Sequence, residues 1–580
     1  MKYRNLLSLV LTAALSSAAF FSAVAKEGAP AAQTVSQKTS HDFEVSKNLD
    51  IFNSIYKELD LFYVDTINPA KTIKNGIDAM LGMTDPYTNY FQESDMSDLK
   101  FMTTGSYAGV GAVISSNLKS KQIYITEIYE GMPADKAGLR AGDIFVSVDD
   151  TLTDGKTTSQ VSNLLRGEPQ TTAKVVYLRD GKEMKANVVR EKIVIDPVPY
   201  YCMLNSNVGF INISSFTDQS YSSFLKAFNS LKSQGMSSLI IDLRSNPGGL
   251  LSDATKILNM FLPRNTLLVY TKSKEEKWNT KYFASEHPVD LNIPIVVLVN
   301  RNSASASEIV SGTLQDMDRA VILGERTYGK GLVQTTRDLP YGGSLKVTIS
   351  KYYIPSGRCI QAIDYAKRDE EGFVKRIPDS LTHVFNTAAG REVRDGCGIC
   401  PDAYHKDEKN AAITYQLYNQ NVIFDYVVKY RKSHPSISAV KDFKFNDFDD
   451  FKKFVSESKF EYKPKSCTFF NTLKEQAQFD GCYDRAKVYF DSLEAKLKPD
   501  VVTDLEAHKD EVIKYISQEI AHQYYYQRGA MQEFLKTDKC VEKAVNMLTN
   551  TDEYKAYLSA KVVGAEAANA ADDDEKQEEE

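Results

Sequence analysis

Leu239-Ile240-Ile241-Asp242-Leu243-Arg244-Ser245-Asn246-Pro247-Gly248-Gly249 is a short apolar run closed by a glycine turn. Five residues are too few for an ordinary helix, so Leu239–Leu243 reads as a buried strand. Asn-Pro-Gly-Gly turns the chain, and the periodic stretch Leu250–Phe261 reads as the next helix. The same alternation continues outward. Strands are expected at Val208–Ile213, Leu267–Tyr270, Ile295–Val299 and Ala320–Leu323, with a later one at Leu345–Tyr353. Helices are expected at Ser220–Ser233 and Ala306–Met317. This pattern predicts an α/β fold with a mostly parallel, layered sheet. A glycine turn at the carboxyl end of a strand is where such folds bind ligands. The amide of Gly248 or of Gly249 is therefore a candidate oxyanion donor; a plain tight turn is the simpler reading. A phosphate loop is disfavoured, because no Gly-Lys-Ser/Thr follows.

Two further segments carry chemistry. The first runs Asn302-Ser303-Ala304-Ser305-Ala306-Ser307-Glu308, just where a helix should begin. Any of its serines suits a helix cap. A serine at that place also suits acyl transfer, since free amides and the helix dipole favour an oxyanion. The amide of Ala306 is the natural first donor. The second segment is Tyr328-Gly329-Lys330-Gly331-Leu332-Val333-Gln334. None of the seven histidines (His41, His287, His383, His405, His434, His508, His522) falls within these motif segments. A lysine replaces histidine as the base when burial destabilises its ammonium. The glycines around Lys330 allow close approach, and Gln334 is placed to orient its amine. An exposed turn lysine is the alternative.

Elsewhere the chain is modular. Lys2 and Arg4, an apolar run from Leu6 and Ala23-Val24-Ala25 have the pattern of a secretory signal peptide over 1–25. An exported, periplasmic location and a soluble mature protein are expected. Residues 26–45 read as a polar linker and 46–99 as a helical unit, with Leu49, Phe52, Ile55, Leu59 and Phe62 at helical spacing. Residues 100–192 read as short strands with one or two helices, including a hairpin around Asp180-Gly181. Residues 364–395 are charged and read as an insertion. The region 404–563 is expected to be mainly helical, and 564–580 an acidic disordered tail. The net charge of −7 gives no footprint for nucleic acid. Seven cysteines leave at least one thiol without an intramolecular partner, and Cys467 with Cys482 is the preferred bridge. Cys397-Gly-Ile-Cys400 has CxxC spacing, but no thioredoxin-like context or second Cys/His pair supports redox or zinc chemistry.

The order of these motifs resembles the C-terminal processing peptidases, or tail-specific proteases. The matching strings are Tyr107 to Ile114, Gly131-Met132-Pro133-Ala134 with Ala137-Gly138-Leu139, and Asp242 to Gly249. They continue with Ser303 to Val310, Gly329-Lys330-Gly331 with Gln334, and Pro355-Ser356-Gly357-Arg358. The resemblance spans roughly residues 46–403. It implies a layered α/β protease core of the Clp protease/crotonase kind over 193–403 and an inserted PDZ domain over 100–192. It also implies a Ser–Lys dyad of Ser305 and Lys330, supported by Gln334. Gly109, Val110, Gly111 and Ala112 would then grip a peptide's C-terminal carboxylate while the peptide adds a strand. Arg166 is a candidate sensor coupling PDZ occupancy to the site.

The expected function is an exported serine endopeptidase acting on unfolded proteins or exposed C-terminal tails, without metal or organic cofactor. The rivals are an inactive PDZ scaffold or chaperone, and a small-ester hydrolase. Homo-oligomerisation and an accessory protein at the C-terminal region stay open.

Overall fold

The computed structural model describes residues 31–96, 104–117, 120–369, 372–406 and 409–559. The expected signal peptide and acidic tail lie outside them. The chain divides into two compact units, up to Ala79 and from Met80 onward. The first holds the helix Ala31–Phe62 and most of Pro69–Gly82. The expected linker is thus helical from Ala31. Apolar periodicity is not required for a helix, and no glycine or proline interrupts residues 31–62. Leu49, Phe52 and Ile55 on this helix are exposed.

The central sheet has the order Tyr200–Met203, Val208–Asn212, Ser238–Asp242, Ile295–Val299, Val321–Gly324, Ala403–Tyr404. Its first pair is antiparallel and the rest are parallel. All residues of the four middle strands are buried, as parallel strands covered on both faces require. One face packs on Ser220–Ser233, Leu251–Asn259 and Ala306–Asp316 through Phe228, Ile257 and Val310. The other packs Phe210, Ile240, Val296 and Leu298 against Val541, Ala544 and Met547 of the helix Lys539–Thr549. Tyr554, in the last helix Thr551–Tyr557, accepts the Ile295 amide at 3.0 Å. The final two helices of the described residues therefore cover the second face of the sheet. Without them, aliphatic strand faces would meet water.

The strand Leu267–Ser273 also departs from expectation. It leaves the parallel sheet and pairs antiparallel with Ser344–Tyr353, which in turn pairs with Leu332–Asp338 and Asn89–Phe91. Its polar end, Thr271-Lys272-Ser273, suits a sheet with one wet face. The described residues of 364–395, read as an insertion, are ordered against the core. They form hairpins pairing Ile363–Arg368 with Val374–Arg376 and Val384–Asn386 with Glu392–Arg394. Buried Arg391 anchors them to Asp318 at 2.6 Å and to Asp402.

Residues 112–189 form an antiparallel sheet in the order Ala112–Ser116, Ile123–Ile128, Ile144–Val148, Thr172–Arg179, Lys182–Val189. The expected hairpin turns at Asp180 (φ 56°) and Gly181 (φ 74°), the two positive angles of a tight primed turn. The C-terminal helices before residue 539 gather their own aromatic core around Tyr426, Phe445 and Phe451. Val512, Ile516 and Ile520 lie in it. Cys467 and Cys482 do not meet. Cys467 lies near the start of the helix Lys465–Phe479 and Cys482 beyond its end, about 20 Å apart at ~1.5 Å rise per residue. Their thiols donate to the carbonyls of Leu497 and Ala477. Among the described residues, no helix is long and apolar enough to cross a membrane.

Candidate active site

The strand Ile295–Val299 delivers the chain to the helix Ala306–Asp316, and Ser305 is the residue at the junction. Its backbone is in a sparsely populated left-handed region (φ 55°, ψ −114°), a conformation that persists only where surroundings enforce it. The three serines have different fates. Ser303 donates its hydroxyl to the Leu243 carbonyl at 2.8 Å, and Ser307 donates to that of Asn246 at 2.9 Å. Both are structural. The Ser305 hydroxyl instead lies beside the Tyr352 phenol.

Glu308 is what brings the two motif segments together. Its side chain is fully buried. Oε2 accepts the backbone amides of Ser305 at 2.8 Å and Lys330 at 2.9 Å. Oε1 accepts the amide of Gly329 at 2.7 Å and the hydroxyl of Thr327 at 2.6 Å. Four donors converge on one carboxylate. The backbone nitrogens of Ser305 and Lys330 lie no farther apart than their two bonds to Oε2 permit. Burial pushes this carboxyl up, and the four donors oppose that by favouring the ionised form. The Tyr352 phenol adds a second bridge by donating to the Lys330 carbonyl oxygen. Neither Glu308 nor Tyr352 was among the expected site residues. A glutamate three positions after a helix-capping serine carries a legible signal, the capping box. Nothing local marks Tyr352.

Lys330 is partly buried, and its Nζ lies 4.2 Å from the centroid of the Tyr87 ring. The Tyr87 hydroxyl meets those of Tyr365 at 3.2 Å and Tyr328 at 3.3 Å. Burial, followed by the like charge of Lys346, pulls the Lys330 amine down to about 8, while Glu308 and Asp85 pull the other way. Gln334 lies on the adjoining strand and gives Nε2 to Thr348 Oγ1 at 3.1 Å.

The glycine turn sits directly against Ser305. A Cβ on Gly248 would fall 2.7 Å from Ser305 Cβ and 2.9 Å from the Ala306 nitrogen. The Gly248 amide donates to Asn246 Oδ1 at 2.8 Å. Gly249 pairs with Phe216 through its neighbours, because the Phe216 amide bonds the Gly248 carbonyl and the Leu250 amide bonds the Phe216 carbonyl. The amide of Gly249 itself therefore points away from Phe216. Buried Arg244 fixes the turn from behind, bonding Asp242 at 2.8 Å and Asp538 at 2.7 Å. Asp538 also caps the helix Lys539–Thr549.

Comparison with known proteins agrees with this architecture. The model of peptidase family S41 matches residues 207–369, and a PDZ-domain model matches 124–179. The carboxy-terminal-processing protease of Bartonella bacilliformis is 32% identical over 331 residues, 56% of this chain and 75% of that protein. The chain belongs to the C-terminal processing peptidases of family S41. The chloroplastic C-terminal processing peptidase of Tetradesmus obliquus is 34% identical over 48% of this chain and 64% of its own. The chain thus spans less than two thirds of the length of some relatives. A solved photosystem II D1 C-terminal processing protease is 33% identical over 53% of this chain and 83% of its own, with a TM-score of 0.32. Residues 413–548 match the C-terminal helical domain of a probable PDZ-protease.

The PDZ domain of this S41 peptidase has an open groove. Ala112–Ser116 is an edge strand of its sheet, and the helix Thr158–Leu165 flanks it. A cavity of about 390 Å³ lies there, lined by Tyr107, Val110, Ala112, Ile114, Ser162 and Arg166. The Arg166 guanidinium stands 5.8 Å from the Tyr107 ring centroid. A Cβ on Gly109 would meet that ring at 2.7 Å. The Gly111 amide, one of the expected carboxylate donors, points to the Tyr107 hydroxyl. The carbonyls of Val110 and Gly111 accept the amides of Ala134 and Tyr129, which pins the loop.

Proposed function

We propose that this chain is an exported serine endopeptidase that captures substrate C-terminal tails in its PDZ groove and cleaves with a Ser305–Lys330 dyad. The observation that carries the reading is the shared Glu308 carboxylate, which seats a strained serine and a buried lysine on one support. Neutral Lys330 takes the Ser305 proton as Oγ attacks the scissile carbonyl. The helix-start amide of Ala306 and, of the glycine pair, that of Gly249 donate to the oxyanion; the Gly248 amide is already engaged by Asn246. Lys330 then protonates the leaving amine, and water resolves the acyl-enzyme. Gln334 donates Nε2 to Thr348, which fixes its amide and leaves Oε1 to orient the Lys330 amine. In the groove, the tail adds beside Ala112–Ser116 with its carboxylate at the Gly109–Ala112 loop. Arg166, beside Tyr107, serves as the residue that senses occupancy.

The test incubates an unfolded protein with wild type, Ser305→Ala and Lys330→Ala and looks for new peptides by mass spectrometry. Cleavage by wild type alone is expected. Peptide binding without cleavage in wild type would make the chain a scaffold. A substrate blocked at its C-terminal carboxylate should be cut more slowly, and equal rates would remove the tail-capture step.

A further inference from the structure

The sequence offers no redox setting for Cys397-Gly-Ile-Cys400, yet the structure provides one. The two Sγ atoms lie 3.2 Å apart. Cys397 is buried and Cys400 keeps partial exposure. The segment between them leans on the support of the catalytic pair. A Cβ on Gly398 would meet Thr327 Oγ1 at 2.8 Å and Glu308 Oε1 at 3.1 Å. The Ile399 amide donates to Thr327 Oγ1 at 2.7 Å, and the Thr327 amide donates back to the Ile399 carbonyl at 3.1 Å. Thr327 in turn donates to Glu308. Their mutual hydrogen bond, then the Arg326 and Arg358 guanidiniums, pull the Cys400 thiol down against burial; the same hydrogen bond and burial push Cys397 up. A thiol drawn towards its thiolate with a second thiol in contact is the arrangement thiol–disulfide exchange uses.

We propose that Cys397 and Cys400 form a reversible disulfide whose state is transmitted through Thr327 and Glu308 to the seat of Ser305 and Lys330. The oxidant is a small disulfide of the oxidised-glutathione class. The Cys400 thiolate attacks one of its sulfurs and releases one thiolate, leaving a mixed disulfide. Cys397 gives up its proton and attacks Cys400 Sγ, releasing the second thiolate. The chain loses two protons and two electrons, and the oxidant takes up both to become two thiols. A disulfide bond is about 2.05 Å long, so closure draws the sulfurs together by roughly 1 Å. The thiol form already has the Thr327, Ile399 and Glu308 bonds made, so closure loosens them. Its effect on cleavage rests on the proteolytic reading above; the bond and its transmission do not.

The experiment equilibrates the full chain in reduced and oxidised glutathione mixtures, traps thiols by alkylation and maps peptides. A Cys397–Cys400 link, 2 Da lighter and reversed by dithiothreitol, is expected. Hydrogen exchange then follows peptides carrying the amides of Ser305, Gly329 and Lys330, which should exchange several-fold faster in the oxidised chain. Cys397→Ser and Cys400→Ser, made separately, should show no dependence on the mixture. Absence of the link across the series overturns the disulfide, and a link with unchanged exchange overturns the transmission. If wild type cleaves nothing in either state, the proteolytic reading fails while mapping and exchange still decide this one.

Discussion

The catalytic turn and the PDZ groove solve opposite problems with the same materials. Both are built from glycine turns and backbone amides. Around Ser305 nearly every polar group is buried and bound: one carboxylate takes four donors, and an arginine fixes the glycine turn to two aspartates. The groove is an unpaired strand edge and one helix, with a tyrosine hydroxyl resting on a loop amide. An over-determined site holds strain and shifts a pKa. An open edge accepts many peptides, because main-chain bonds supply the affinity. Changes in the first should therefore damage chemistry, and changes in the second, the sensor Arg166 apart, should move substrate binding.

The largest effect is expected at Glu308. Glu308→Gln turns an amide NH2 towards donors, so the seat shared by Ser305 and Lys330 shifts. Misplacement of this size costs about 10²-fold in rate, read as kcat against an unfolded substrate with KM nearly constant. A rate within threefold of wild type would show that the seat does not matter. Asp538→Ala comes next. It leaves Arg244 with one carboxylate and uncaps a helix, a loss of about 2–3 kcal/mol. Urea unfolding should show it, with tail-peptide affinity unchanged. A midpoint shift too small to detect would mean that the C-terminal helix and the glycine turn are independent.

The third test is pH. Neutral Lys330 is the active form, and its amine titrates near 8. The rate should rise about tenfold per pH unit below that value and level off above it. Lys346⁺ depresses Lys330, so Lys346→Met should move the rising limb to higher pH. A profile flat from pH 5 to 10 contradicts the dyad. The smallest effect belongs to the groove. Tyr107→Phe frees the Gly111 amide for a carboxylate, so tail peptides should bind several-fold tighter in a titration, with kcat unchanged. Weaker binding would show that the Tyr107 hydroxyl recognises the peptide rather than competing with it.

Much of the core was legible. Ile295–Val299 and Ser220–Ser233 lie where periodicity places them. The sheet strand Val321–Gly324 shifts by a residue, and the helix Ala306–Asp316 begins where expected and ends one residue early. Short aliphatic runs between helices have few alternatives when both faces must be buried. Leu267–Ser273 was misplaced because a strand's sequence states that it is extended, not which strand it joins. The helix was expected only from about residue 46; its first part, from Ala31, was read as a linker because its sequence is polar and aperiodic. Cys467 and Cys482 were paired by nearness in sequence, and one helix length separates them.

Residue chemistry and spacing alone determined the turn at Gly248-Gly249, the serine at a helix start and the glycine-flanked lysine, because backbone freedom and helix capping are local properties. Only the tertiary structure decided that Glu308 joins the last two and that the final helices close the sheet. It also decided that Cys397 meets Cys400 behind Thr327. Each of those depends on segments far apart in the chain meeting in space, where burial makes a hydrogen bond or a thiol count for more than it does in water.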